Sequence, residues 1–291
     1  MVNVTLIIPV FNANAYLAAC LESVRNQSLR EIEIICIDDG STDGSAVTLD
    51  GMARSDPRVR VFHGDHNMGA GAARNRGIRA ARGRFIRFVD ADDVLPPCST
   101  EILYSRSMET GADAVRGSLA LVSSPAMPYK RIIAVADKAL TTFKLERDLW
   151  IPWWHTSYLL SADLIRSHEL CYPNLKQGED PVFLASVLVR CRHISLVSDI
   201  VYLCRRYPKK TGSAAVGFAY VADWLAHASR VKCEFYGHYP ESWDGGYGPF
   251  LLARLRNFLG RCPLTTVEKA YVQTEVQRIW GGAGELLLLE Q

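Results

Sequence analysis

Residues 85–93 are Phe85-Ile86-Arg87-Phe88-Val89-Asp90-Ala91-Asp92-Asp93, an apolar run that ends in three carboxylates. A short apolar run of this kind predicts a buried β-strand. Residues i and i+2 at a strand end project to the same side, so we expect Asp90 and Asp92 to approach one ligand together. Hard divalent cations such as Mg²⁺ take oxygen ligands and commonly use one or two carboxylates together with substrate phosphates. The pattern favours a cation site, and the alternative is an acidic cap for the following helix.

Similar apolar runs precede this one, and each is followed by a helical pattern. Strands are predicted at 4–8, 32–37, 59–62 and 85–89, with Pro9 ending the first, and helices at 16–24, 45–55 and 70–81. This alternation predicts a parallel, doubly wound sheet with right-handed crossovers. Ligands of such sheets bind at the carboxyl ends of the strands. The candidate site segments are therefore 9–12, 38–41 and 90–93.

The pattern becomes less regular after residue 97. It predicts a helix at 99–109, a strand at 112–122, a strand–helix segment from Trp150 to about His168, a helix at 180–190 and extended structure at 194–203. Three helices are predicted beyond that, at 218–235, 249–259 and 266–280. We expect one domain at 1–215, made of halves 1–97 and 98–215, and a helical extension at 216–291.

The composition excludes several classes of protein. With 291 residues, 48% apolar residues and a net charge of +2, the chain is neither disordered nor a globally basic nucleic-acid binder. Eight widely spaced cysteines without a C-x-x-C pair predict free, mostly buried thiols in a reducing cytoplasm. The first ten residues lack the basic start of a signal peptide, and no apolar run is long enough to span a bilayer.

Two segments carry residue types that suit a nucleotide. Asp38 and Asp39 leave an apolar strand together, and a carboxylate there could accept hydrogen bonds from a base or a ribose; ordinary turn chemistry is the alternative. Arg74 lies in the first turns of a helix, where the N-terminus favours anions, so the position suits a phosphate. The nearby Gly69-x-Gly71 imitates a dinucleotide fingerprint. Because Arg74 occupies the third glycine position, we exclude a dehydrogenase.

Two downstream segments allow two interpretations each. Glu179-Asp180-Pro181 is a good helix start, because proline and acids suit the first turn, and it equally offers a general base. Trp150, Trp153 and Trp154 form the densest aromatic patch. Such side chains suit sugar rings, and they are also ordinary core material, which we favour for two of the three.

These motifs, in this order, resemble those of the family 2 glycosyltransferases with the GT-A fold. The segments that carry the resemblance are 7–12, 21–28, 37–45, 67–77 and 88–93. The match is strong and in order over roughly residues 3–97. It is sparser but continuous through Glu179-Asp180 and 202–213, and it does not extend to the helical tail. One departure is the bulk of Trp153-Trp154-His155, where the family often shows a single tryptophan.

The resemblance implies an inverting transfer from a nucleotide-diphosphate sugar, usually a UDP-sugar, with a divalent metal (Mn²⁺ or Mg²⁺). The halves 1–97 and 98–215 would then bind the donor and the acceptor. The residues that it places at the nucleotide sugar are Pro9, Phe11, Asp39, Arg74, Asp90, Ala91 and Arg206. Asp92 would ligate the metal and Asp180 would be the catalytic base. Those expected near the acceptor are Trp153, Trp154 and Glu179.

The resemblance also implies an acceptor hydroxyl on a glycan, a glycolipid or a similar molecule, in the synthesis of a bacterial polysaccharide or glycolipid. A non-catalytic nucleotide-sugar-binding protein stays open as an alternative. So does a membrane-peripheral scaffold, because Arg254, Arg256 and Arg261 lie near apolar residues of the C-terminal helices. We expect a cytoplasmic protein, with peripheral membrane contact and a homodimer left open.

Overall fold

The computed structural model describes residues 2–123, 131–205 and 217–281, and it divides the chain into two compact units. The first unit comprises Met1–Thr142, Trp154–Tyr172 and Arg190–Tyr207. The second comprises Phe143–Trp153, Pro173–Val189 and Pro208–Gln291. The predicted boundary near residue 216 falls outside the described residues, and the division into 1–215 and 216–291 stays a prediction.

The described part of the first unit contains one mixed β-sheet with flanking helices. Its strands are β1 (Val4–Val10), β2 (Ile32–Asp38), β3 (Val59–His63), β4 (Phe85–Phe88), β5 (Ala114–Val122), β6 (Arg131–Ile133), β7 (Lys138–Thr141), β8 (Tyr158–Ser161) and β9 (Ile194–Arg205). Its helices are α1 (Asn14–Arg25), α2 (Ser45–Ser55), α3 (Ala70–Ala80), α4 (Ser99–Thr110) and α5 (Ala162–Ser167).

The strand order confirms the predicted doubly wound, mixed sheet. It runs β3-β2-β1-β4-β8-β5-β9-β7, with β6 beside β5. The first four strands pair in parallel, as expected from the alternating pattern. The antiparallel β8 then separates β4 from β5, and β9 runs parallel to β5. The sequence patterns missed β6 and β7, which have only three and four residues.

The first strand does not end at Pro9, as predicted, but continues to Val10. Pairing with β4 ends at Ile7 and Phe88, whereas pairing with β2 continues to Val10 and Asp38. Proline has no N–H to donate, and a sheet tolerates it where a ladder bond is not required. The strand can therefore pass through Pro9 because its neighbour on the β4 side has already ended.

Helices cover the parallel strands closely. Every residue of β2 is buried, as expected for a strand with both faces covered. On α3, a Cβ atom at Gly77 would clash with Cγ2 of Ile7, so a larger residue could not approach β1 in the same way. The small residues of α3 thereby allow the helix to lie directly on β1, beside the strand ends that carry the candidate site.

The described part of the second unit is helical. It contains α6 (Glu179–Leu188), α7 (Phe218–His238), the short α8 (Pro240–Ser242), α9 (Gly248–Leu259) and α10 (Thr266–Trp280), with 3₁₀ and π turns at Arg147–Trp150 and Trp243–Tyr247. The three predicted C-terminal helices are thus present, and a Thr265–Glu268 capping box begins the last one. None of the helices described is both long and apolar enough to cross a membrane.

All eight cysteines lie within the described residues and are free thiols. The expectation that they are mostly buried is correct for only half of them. Cys20, Cys36, Cys191 and Cys262 are buried, whereas Cys98, Cys171 and Cys233 are exposed and Cys204 is intermediate.

Candidate active site

A cavity of about 440 Å³ opens at the carboxyl ends of β1, β2 and β4 in the first unit. Seven of the residues predicted to bind the nucleotide sugar or the metal line it: Pro9, Phe11, Asp39, Arg74, Asp90, Ala91 and Asp92. Further lining residues are Val10, Asn12, Ala13, Tyr16, Asn67, Ala70 and Ala73. The structure therefore brings together side chains that are up to 83 positions apart in the chain, Pro9 and Asp92. Their individual roles stay predictions.

Asp39 anchors the loop that leads into α3. Its two carboxylate oxygens accept hydrogen bonds from the backbone N–H groups of Met68, at 3.0 and 3.1 Å, and of Gly69, at 2.8 Å. A carboxylate can accept about four hydrogen bonds, so acceptor capacity remains on the side facing the cavity. Asp39 can thus hold the cavity wall and still accept an N–H group from a bound base.

Asp38 has a different function from its neighbour, which the sequence did not resolve. It accepts a hydrogen bond from the backbone N–H of Ser41 at 3.0 Å and lies 2.8 Å from Nδ1 of His63. Burial alone would raise the pKa of Asp38, but these hydrogen bonds outweigh it and lower the pKa. Conversely, the hydrogen bond to Asp38 and a second one to Asp50 raise the pKa of His63. Asp38 therefore fixes the turn that presents Asp39.

The His63–Asp38 pair predicts a pH-dependent contribution to stability. Because the pKa of His63 is raised, its protonated imidazole stabilises the fold fully below about pH 6.5. This stabilisation is lost as the pH rises through the pKa of the folded state. Because the pKa of Asp38 is lowered, its ionised carboxylate stabilises the fold fully above about pH 3.9. This stabilisation is lost as the pH falls through the pKa of the folded state. We expect His63→Gln to cost about 0.5–1 kcal/mol between these limits and less above them, because the imidazole is 44% exposed.

Urea denaturation of the His63→Gln variant from pH 4 to pH 9 measures this effect. His66→Gln is a suitable control because that side chain is exposed nearby. A loss of stability that is the same at every pH would show that the ion pair contributes nothing.

Gly40 makes the tight turn after β2 possible. Its φ angle is +76°, and a Cβ atom there would lie 2.7 Å from the backbone Cα of His66. We expect Gly40→Ala to destabilise the protein by about 1–3 kcal/mol, since both the left-handed backbone and the contact oppose a side chain. Gly51→Ala on α2 is the matched control, because its nearest neighbour would be the tip of the Arg54 side chain at 4.0 Å. Equal denaturation midpoints for the two variants would contradict this account.

Arg74 is a buried cation in the wall of the cavity. Its Nη2 donates a 2.9 Å hydrogen bond to Oδ1 of Asp90, and its guanidinium lies 5.3 Å from the ring centre of Tyr172. The side chain of Asn75 ties the same helix to the backbone of Tyr172: its Nδ2 donates to the carbonyl oxygen at 2.9 Å, and its Oδ1 accepts from the N–H at 2.8 Å. Arg74 thus orients Asp90 and places a positive charge beside the acidic strand end, a position that suits an anionic ligand.

The three carboxylates after β4 occupy different environments. Asp90 and Asp92 line the cavity, whereas Asp93 is buried behind them. Burial, followed by the charge of Asp90, raises the pKa of Asp92. Burial and the same neighbouring charge raise the pKa of Asp93 to about 7. The strand end therefore accumulates negative charge that a bound cation would neutralise.

Tyr202 and Asp93 hold this turn against β9, and sequence reasoning assigned neither residue a role. The hydroxyl of Tyr202 donates to Oδ2 of Asp93 at 2.8 Å and accepts from the backbone N–H of Asp90 at 3.1 Å. The backbone N–H of Arg205 donates to Oδ1 of Asp93 at 2.6 Å. Tyr202 is 109 positions from Asp93, and no local pattern could have predicted the contact.

The donor set at the strand end fits a divalent metal that also binds the substrate. Asp90 and Asp92 offer hard oxygen ligands, the type that Mg²⁺ and Mn²⁺ prefer. Within the part of the chain that is described, no group of three or more His, Cys, Asp and Glu side chains could hold a metal alone. Two carboxylates without a third ligand match a site that substrate phosphates complete.

Glu179 and Asp180 belong to the second unit, in the first turn of α6. Gly178 precedes them with a φ angle of +80°, and a Cβ atom there would lie 2.6 Å from Nδ1 of the buried His227 on α7. Because only glycine fits this contact without strain, the start of α6 is held closely against α7. The carboxylates are thereby presented on a fixed helix start.

The remaining predicted residues are distributed differently. Trp153 is in the second unit, where its Nε1 donates to the hydroxyl of Tyr247 at 2.9 Å. Trp154 is in the first unit, with a φ angle of +65°, and packs against the sheet core. Trp150 is buried in the second unit, as expected for core material. Arg206 lies outside the described residues.

Comparison with known proteins identifies the family. Residues 5–164, more than half of the chain, match the family model described as Glycosyl transferase family 2. The chain belongs to this family. The predicted family is confirmed, and the protein is a glycosyltransferase.

Relatives and solved structures extend the match beyond that segment. The chain is 28% identical to the uncharacterised glycosyltransferase EpsJ of Bacillus subtilis over 81% of its own length and 70% of EpsJ. It is 30% identical to the poly(ribitol-phosphate) beta-glucosyltransferase of Bacillus spizizenii over 75% of its length, but this covers only 34% of that relative. The structure of S. aureus TarS 1–349 in complex with UDP-GlcNAc superposes with a TM-score of 0.74 at 18% identity, covering 99% of this glycosyltransferase and 84% of the TarS chain. The predicted GT-A-type fold is confirmed by this similarity.

Proposed function

We propose that this glycosyltransferase moves a sugar from a nucleotide-diphosphate sugar, with a UDP-sugar favoured, to an acceptor hydroxyl with inversion at the anomeric carbon. The observation that carries the proposal is the single cavity that contains Phe11, Asp39, Arg74, Asp90 and Asp92. An aromatic ring, a hydrogen-bond acceptor for a base, a buried guanidinium and two cation-binding carboxylates are the groups that recognition of a nucleotide diphosphate requires.

Each part of the donor has a counterpart in this cavity. Pro9 and Phe11 border the base, and Asp39 accepts its N–H group. Asp90 would reach the ribose or the metal, with Ala91 beside it, and Asp92 would hold the metal. Arg74, which orients Asp90 through a 2.9 Å hydrogen bond, supports the nucleotide. The UDP-GlcNAc in the TarS complex supports a UDP-sugar as the donor.

The chemical step needs a base at the acceptor. We infer that Asp180 takes the proton of the acceptor hydroxyl. The hydroxyl oxygen meanwhile attacks the anomeric carbon from the face opposite the diphosphate. The new carbon–oxygen bond forms as the bond to the diphosphate breaks, and the nucleoside diphosphate leaves. A divalent cation at Asp92 would stabilise the charge on the leaving diphosphate as a Lewis acid.

The relatives support one class of acceptor. By its name, the Bacillus spizizenii relative acts on a polymer of ribitol phosphate. Together with the family resemblance, this supports a bacterial polysaccharide or a related cell-surface polymer as the acceptor.

Donor binding provides the direct test. We expect one of the UDP-, GDP- or dTDP-sugars to raise the melting temperature in the presence of Mn²⁺, because a ligand at 100 times its Kd stabilises the fold by about 2.7 kcal/mol. The increase should require the metal and should disappear in Asp39→Ala. Absence of any shift with all three nucleotides and Mn²⁺ would refute the proposal.

A further inference from the structure

Arg254 of α9 lies inside an aromatic cluster of the second unit. Its guanidinium carbon is 4.4 Å from the ring centre of Trp153, 5.6 Å from that of Phe250 and 5.9 Å from that of Trp224. Rings at these distances stabilise a cation through their negative faces. Three rings around one guanidinium keep the charge in place without neutralising it.

The hydrogen-bonding groups of Arg254 are not used within this cluster. Its Nε is buried and has no hydrogen-bond partner among the described residues, and none of the described Asp and Glu side chains forms an ion pair with it. The N–H groups of a guanidinium lie in its plane, so a ring that stacks on its face does not accept their hydrogen bonds. Their forked arrangement suits an oxyanion such as a carboxylate or a phosphate. The side chain is half-buried, so an anion can approach its terminal nitrogens from solvent.

The polar neighbours of this cluster do not supply the missing negative charge. Burial raises the pKa of Tyr247, so its hydroxyl stays neutral at physiological pH. Burial lowers the pKa of His227 to about 3, so its imidazole is neutral as well. Arg254 is therefore a cation without a counter-charge among the described residues, in a mostly apolar setting where binding an oxyanion is favourable.

A chain of contacts connects Arg254 to the helix start that carries Asp180, the proposed catalytic base. Trp153, which stacks on Arg254, donates to the hydroxyl of Tyr247 at 2.9 Å. That hydroxyl is 2.8 Å from Nε2 of His227, and the other side of the imidazole faces Gly178. Gly178 directly precedes Glu179 and Asp180. The same side chains therefore position Arg254 and the start of α6.

We propose that Arg254 binds an oxyanion of the acceptor, a phosphate or a carboxylate, and thereby selects anionic acceptors. This inference rests on the proposed function, because it assumes that Asp180 acts on the acceptor. It assigns Arg254 to substrate recognition rather than to membrane binding, the role considered from the sequence. Phosphate and carboxylate each offer two oxygens that can accept the paired N–H groups of a planar guanidinium, and the experiment separates them.

The test is calorimetric titration of the full chain with sn-glycerol 3-phosphate, with glucuronate, and with uncharged glycerol. We expect one of the two anions to bind the wild type and glycerol not to bind. Arg254→Gln should weaken binding of the anion about tenfold or more. Arg254→Lys should weaken binding less, because a lysine keeps the charge and loses only the planar geometry. Arg256→Gln, an exposed arginine on the same helix, should have no effect.

Two results would overturn the proposal: neither anion binds the wild type, or Arg254→Gln binds it as well as Arg256→Gln does. Metal-dependent UDP binding, measured on the same samples, separates this inference from the proposed function. If UDP binds and the anions do not, only the role of Arg254 is wrong; if UDP does not bind, the donor assignment is wrong. Melting temperatures of Arg254→Gln and Arg254→Lys within a degree of the wild type would exclude misfolding as the cause.

Discussion

Replacing Asp180 with asparagine should reduce sugar transfer about 10²–10⁴-fold while leaving donor binding intact. Asparagine keeps the size and the helix-start position of Asp180, but it cannot take the proton of the acceptor hydroxyl. We would measure release of the nucleoside diphosphate with acceptor present, and Kd for the donor with Mn²⁺. The expected pattern is a large fall in kcat with an unchanged donor Kd, because the substitution removes only an interaction made in the transition state.

Glu179→Gln is the matched control for this experiment, since the two carboxylates are adjacent in the first turn of α6. We expect it to change transfer much less, or to change mainly the KM for the acceptor. A large loss in Glu179→Gln with activity retained in Asp180→Asn would assign the base to Glu179 instead. Loss of donor binding in Asp180→Asn would contradict a role confined to the acceptor.

The parallel half of the sheet could be predicted because its signals are local. Each strand from β1 to β4 is an apolar run followed by a helical pattern, and the crossover rule then determines its direction. The predicted helix at 45–55 has the same bounds as α2, and the strand at 85–89 differs from β4 by one residue. Local periodicity was sufficient for this part of the fold.

The other half of the sheet could not be predicted in the same way. The position of β8 between β4 and β5 depends on pairing across more than 70 positions, such as Phe85 with Ser161. The bond between Tyr202 and Asp93 spans 109 positions. Such non-local contacts leave no periodic trace in one sequence, although they decide where the acidic turn lies.

The candidate site was more predictable than its supporting contacts. Strand-end carboxylates and a helix-start arginine are unusual enough to be noticed, and the structure places Asp39, Arg74 and Asp92 around one cavity. Asp38 and Asp39 looked alike in the sequence, and they differ because Asp38 turns toward Ser41 and His63. The uncompensated charge of Arg254 also depends on tertiary packing, because two of its three aromatic neighbours, Trp153 and Trp224, come from other segments of the chain.

Replacing Asp92 with asparagine should abolish the metal dependence of donor binding and lower transfer by about 10²-fold or more. The substitution removes a hard anionic ligand, and an amide oxygen binds Mg²⁺ or Mn²⁺ less strongly. Without metal, the same variant should be as stable as the wild type, or more stable by up to about 1 kcal/mol. The reason is that burial and the charge of Asp90 raise the pKa of Asp92, so its ionised form costs stability at neutral pH.

These opposite effects separate a metal ligand from a structural carboxylate. Replacing a carboxylate that only supported the fold would lower stability and activity together, whereas Asp92→Asn should keep or increase the stability and lower the activity. Urea denaturation in EDTA and donor titration with Mn²⁺ measure the two effects on the same protein. Asp163→Asn is the control, because that side chain is 87% exposed in a surface pair with Arg166. If Asp92→Asn kept its Mn²⁺ dependence and Asp90→Asn lost it, Asp90 would be the main metal ligand, since both carboxylates face the same cavity.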